Sequence, residues 1–152
     1  MKISSFLLAL SVGGVLLVGA VGCALTCTEV GCTTAITASV AIDGGVAPLE
    51  GSTVRVCREE QCIDSGFVVN LDQASCETVG NEDFSVTCQA GPDGVISFFV
   101  DLADQDADDE EAYSFTVTAS DGSELGAAAG VVSYEKTEIN GDGCGYCYAG
   151  SL

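Results

Sequence analysis

The chain reads as an all-β protein, a disulfide-stapled antiparallel β-sandwich behind an N-terminal signal segment expected to be helical. Three observations predict this. Beyond residue 33, apolar and polar residues alternate with period two between turn signals, the mark of half-buried strands. No amphipathic stretch of ordinary helix length interrupts them. Nine cysteines lie in 152 residues, a density typical of small exported domains held by covalent staples. The expected organisation is a signal segment over 1–22, a short tether over 23–33 and one sandwich domain over 34–152.

Ile36, Ala38, Val40 and Ile42 share one face of the first strand, and Asp43-Gly44-Gly45 ends it. Thr53 to Arg58 and Cys62 to Val69 form the next pair around the polar Arg58-Glu59-Glu60-Gln61 loop. Phe84, Val86 and Cys88 alternate with Ser85 and Thr87. Gly91-Pro92-Asp93-Gly94 is a strong turn signal before Val95 to Leu102. Tyr113, Phe115, Val117 and Ala119 make the cleanest strand, turned by Asp121-Gly122. Ala127-Ala128-Ala129, flanked by Gly126 and Gly130, reads as a loop. Val131 to Ile139 and a last strand around Cys147 to Leu152 complete the series. Seven to nine short strands at this spacing predict a sandwich of immunoglobulin-like type. The immunoglobulin core tryptophan is missing, since the chain has no Trp.

The leader gives the address. Lys2 supplies a positive start, Phe6 to Leu17 an apolar core, and Gly19-Ala20-Val21-Gly22 precede Cys23. These residues resemble the lipobox of bacterial lipoproteins, in which small residues precede a cysteine that is diacylated and becomes the mature N-terminus. The resemblance covers only the first 23 residues and implies a lipid anchor on Cys23. Because Ala24 follows, it also implies outer-membrane sorting in a Gram-negative host. Two alternatives stay open: cleavage near Gly22-Cys23-Ala24 releasing a soluble secreted domain, and an uncleaved anchor, the apolar run being long enough to span a bilayer at about 20 residues. All three place the domain outside the cytoplasm.

Cysteine counting agrees with the lipobox. Nine is odd; lipidating Cys23 leaves eight, an even set for four disulfides. Cys57 and Cys62 flank the polar hairpin loop and are expected to pair, as are Cys76 and Cys88 around another short loop. Cys27 and Cys32 then remain for Cys144 and Cys147, stapling the domain's ends together.

With cleavage before Cys23, three basic residues and all 23 acids remain, a formal charge of −20. Nucleic acid is excluded as a partner, because phosphates require a basic footprint. Membrane attachment is expected through lipid rather than surface charge, and a protein or glycan partner is left undefined. The absence of His removes His-based triads, general bases and metal ligands. Cys144-Gly145-Tyr146-Cys147 resembles the C-x-x-C motif of periplasmic disulfide isomerases. Those enzymes place the motif at a helix N-terminus, for which the five residues after Cys147 are too few, so a structural role is expected. Asp101, Asp104, Asp106, Asp108, Asp109, Glu110 and Glu111 crowd one loop. The alternation of Asp104, Asp106, Asp108 and Glu110 has calcium-loop character, but Phe115 stands where an EF-hand carries its Glu, and a solvated acidic loop is the blander expectation. Tyr134, Tyr146 and Tyr148 are positioned for sheet packing or sugar stacking. No catalytic residue and no required cofactor is predicted. The expectation is a non-enzymatic, lipid-anchored envelope or cell-surface module that binds or builds. A calcium-dependent adhesion module, and a carboxylate- or thiol-based enzyme, are the alternatives.

Overall fold

The computed structural model describes residues 33–103, 110–138 and 146–152. The signal segment, Cys23, Cys27, Cys32, Cys144, and the Asp104, Asp106 and Asp108 of the calcium reading lie outside the described residues. Among the described residues eleven strands follow one another: β1 Thr34–Ala41, β2 Thr53–Arg58, β3 Gln61–Asn70, β4 Gln73–Cys76, β5 Val79–Gly80 and β6 Phe84–Ala90 in the first half. β7 Val95–Leu102, β8 Glu111–Thr118, β9 Glu124–Val132, β10 Glu135–Glu138 and β11 Tyr146–Ser151 make up the second. Pairing runs β10-β11-β1-β7-β6-β4-β3-β2-β8-β9, with β5 beside β6. The all-β, disulfide-stapled architecture expected from the sequence is present.

The strand path becomes two layers because β3 changes partners. Its first half pairs with β2 as far as Gly66 opposite Thr53. Its second half pairs with β4 from Phe67 opposite Cys76. Phe67 N–H donates to Ser52 O (3.2 Å) and Glu77 N–H to Gly66 O (3.4 Å) at the crossing. One layer is therefore β10-β11-β1-β7-β6-β4, and the other β2-β8-β9 with the start of β3. Phe98 of β7 meets Phe115 of β8 across the interior, ring centroids 4.9 Å apart.

Alternation dictates what fills the space between. Ile36, Val40, Ile96, Val100, Val54 and Val117 are fully buried, and their strand neighbours face outward. Burying each such side chain stabilises the fold by about 1.5–3 kcal/mol. A 3-10 turn at Ala47–Leu49 carries Leu49 into one end of the core. Ser52 Oγ donates to Leu49 O at 2.8 Å and holds that plug. At the next turn Gly94 has φ +76°, and a Cβ there would sit 2.5 Å from Ile42 O. Only glycine fits this turn.

Several details differ from the sequence expectation. The 127–129 alanines form the middle of strand β9 rather than a loop. Their inward neighbours are glycines because β9 lies close over the other layer: a Cβ on Gly126 would be 2.8 Å from Ala41 O. The expected strand over 131–139 is broken at Ser133 and Tyr134, giving β9 and β10. β1 and β11 pair in parallel, the one parallel contact among the described strands. Both described staples join neighbouring strands of one layer, not the two layers as in immunoglobulin domains. Cys57 faces Cys62 in the β2–β3 register, Cα atoms 4.0 Å apart. Cys76 is bonded to Cys88, Cα atoms 5.2 Å apart. These are the two local pairings read from the loops. Cys147 is also disulfide-bonded.

Candidate functional site

Two features stand out: a polar cluster closing one end of the sandwich, and a broad uncharged face on the outside of one layer.

The cluster is built by alternation. Glu111, Tyr113, Phe115 and Val117 all point inward from β8, and Arg58 points inward from the end of β2 opposite Tyr113. Glu111 is 8% exposed. Its carboxylate accepts Arg58 Nε at 3.0 Å and Tyr113 Oη at 2.9 Å, with further bonds from Arg58 Nη2 and Tyr134 Oη. The two tyrosine hydroxyls are 2.9 Å apart. Burial by itself disfavours the charged carboxylate. The donors Arg58, Tyr134 and Tyr113, with the Arg58 charge, outweigh burial and hold Glu111 below the usual carboxylate range. Burial pushes both tyrosines up, and their bonds to the Glu111 carboxylate add to the rise. Such a carboxylate is fully occupied by donors. Its role is to tie β2, β8 and the β9–β10 connection together.

This position corrects the sequence reading of Glu111. It was expected among the solvated acids of one loop; it is the first residue of β8 and is committed to Arg58. Glu110, the described member of the calcium set, is exposed with φ 73°. Asp101 lies on β7. Among the described residues no group of His, Cys, Asp or Glu is arranged to hold a metal. The described cations are all engaged: Arg55 pairs with exposed Asp64 at 2.8 Å, and Lys136 Nζ sits 3.4 Å over the Tyr146 ring. Tyr134 meets Tyr148 edge-on at 6.4 Å. Of the three tyrosines singled out in the sequence, Tyr134 thus packs on Tyr148, and Lys136 lies between the Tyr146 and Tyr148 rings.

The uncharged face escaped the sequence reading. It is the outside of β1, β7, β6 and β4. Register places Thr37 beside Phe99 and Phe99 beside Thr87 in one row. The next row is Ser39, Ser97, Gln89 and Ser75. All of these side chains are exposed, and Phe99 presents 43% of its surface. Two shallow concavities of 590 Å³ and 630 Å³ lie on this face. They share Ser75, Gln89 and Ser97, so they form one continuous trough. Among its described lining residues the one charged side chain is Asp93, at the far end beside Val95. Asp101 stands at the opposite end of β7. Each residue alone looks like the polar side of an ordinary strand; only the pairing of distant strands assembles them.

No known protein family, no characterised protein and no solved structure matches the chain.

Proposed function

We propose that this protein is a non-enzymatic, lipid-anchored domain of the bacterial cell envelope or surface that acts by binding through the trough on β1, β7, β6 and β4. The observation that carries the reading is the neutrality of that face. The chain bears 23 acidic residues against four basic ones, yet the described surface crossing four strands carries carboxylates only at its two ends, Asp93 and Asp101. General solubility is served by acids everywhere; a large gap in them, centred on an exposed aromatic, fits a surface kept for a ligand.

The address rests on the lipobox-like residues before Cys23 and on the disulfides, which persist in oxidising compartments. Intact mass of the protein from the membrane fraction tests it: a diacylglyceryl and acyl adduct on Cys23 is expected, and an unmodified Cys23 on a soluble protein removes the anchor. Binding is tested by co-sedimentation of the mature protein, in neutral detergent, with purified insoluble envelope material. Charging the face with Ser97→Glu and Gln89→Glu is expected to release the protein. Retention equal to wild type would show that the trough is not the binding surface.

A further inference from the structure

The ligand class can be read from what the trough offers and withholds. We infer that the trough binds a neutral, hydroxyl-rich glycan chain laid across β1, β7, β6 and β4, with Phe99 as its stacking platform. This rests on the binding role proposed above and goes beyond it in naming the ligand chemistry.

Hydroxyl and carboxamide groups line the centre: Thr37, Ser39, Ser75, Thr87, Gln89 and Ser97. Each both donates and accepts hydrogen bonds, as a polyol requires. A ligand with a fixed charge would find no counter-charge there, and the surrounding acids would repel an anion. Phe99 stands between Thr37 and Thr87 with its ring half exposed, an apolar plate flanked by hydroxyls. Sugars have the same division, with apolar C–H faces and hydroxyl edges.

Length also fits a chain. From β1 across β7 and β6 to β4 and the adjoining end of β3 is four strand spacings, about 19 Å at ~4.8 Å each. The two concavities run on into one another over this width through Ser75, Gln89 and Ser97.

The other occupants fit less well. An extended peptide is captured by unpaired main-chain groups at a sheet edge. β7 is paired on both sides, with β1 and β6, and β6 is paired with β7 and β4, so this face presents side chains only. A second copy would bring two strongly acidic bodies together over a face whose exposed apolar side chains, Val68, Val95 and Phe99, are interspersed with hydroxyl and carboxamide groups instead of forming one apolar patch.

Affinity electrophoresis of the mature protein in neutral detergent tests the inference. Gels carry galactomannan, arabinoxylan, mixed-linkage β-glucan or dextran, with polygalacturonate as the anionic control. At least one neutral polymer is expected to retard the protein. Its dissociation constant should change less than twofold between about 20 and about 500 mM salt, as screening has no ion pair to weaken. Phe99→Ala should weaken binding about tenfold, and Gln89→Ala should weaken it while leaving the melting temperature unchanged. Retardation by none of the neutral polymers, or by polygalacturonate alone, overturns the inference. So does full binding by a folded Phe99→Ala variant, or a dimer in sedimentation velocity that Phe99→Ala dissolves without any glycan binding. Where envelope co-sedimentation stays sensitive to Ser97→Glu but no neutral polymer binds, the glycan assignment fails and the binding role stands. If both are lost, the binding role fails too.

Discussion

Removing one partner of the Arg58–Glu111 pair should cost far more than removing both. The side chains are only 12% and 10% exposed, so a survivor keeps its charge in a poorly solvated site. Breaking a buried pair in this way costs about 3–5 kcal/mol. The residual exposure places Glu111→Leu and Arg58→Met at the low end, about 3 kcal/mol each. For a domain of this size that lowers the melting temperature by about 12 °C. The double variant should lie within about 1 kcal/mol of wild type, since it buries no lone charge and the hydroxyls of Tyr113 and Tyr134 still face each other at 2.9 Å. Urea unfolding of the four proteins at pH 7 gives the cycle. The pH dependence has a definite sign. Glu111 is held below its unfolded value, so its contribution is complete above the unfolded pKa of about 4.3. It is lost as pH falls through the lower, folded value. The gap between wild type and Glu111→Leu should therefore be widest at neutral pH and close in strong acid. Additive single costs, or a gap that widens toward acid, would show that Arg58 and Glu111 are not coupled as a buried ion pair.

The staples should not be equal. Replacing Cys76 and Cys88 with Ala should cost about 3 kcal/mol from loop closure across 12 residues, plus the cavity left by two buried residues. Replacing Cys57 and Cys62, five residues apart and outside the core, should cost about 2 kcal/mol; chemical denaturation of both variants decides the order. Gly94→Ala should destabilise by about 2 kcal/mol, because a Cβ at φ +76° meets Ile42 O; an unchanged melting temperature would show that the turn relaxes. Phe115→Ala, emptying a fully buried site against Phe98, should cost about 3–5 kcal/mol, read in the same denaturation series.

Most of the fold was legible because alternation is local. Val95–Leu102 and Thr53–Arg58 are bounded by their own turn residues and match the observed strands. The misses share a physical cause, which is that partners far away in sequence decide them. Ala127–Ala129 has little strand character of its own; pairing with β8 makes it a strand, and close approach to β1 at Gly126 and to Leu152 at Gly130 explains the flanking glycines. β4 and β5 are too short to show a period. Glu111 looked like the last acid of a run, and Arg58, 53 residues earlier, is what draws it inside. The alternation of Glu111 with Tyr113, Phe115 and Val117 was the available signal. For the trough there was no local signal: Thr37, Phe99 and Thr87 become neighbours only through the register of three strands.

If binding runs through the trough, the uncharged face, and no other surface, meets the ligand. Amide chemical-shift mapping of the isotope-labelled mature protein against solubilised envelope polysaccharide locates the contact residue by residue. Shifts are expected to concentrate at Thr37, Thr87, Gln89, Ser97 and Phe99, with the Arg55–Asp64 face unmoved. Shifts centred on β2 and β8 would move the binding surface to the other layer, and none at saturating polysaccharide would remove it.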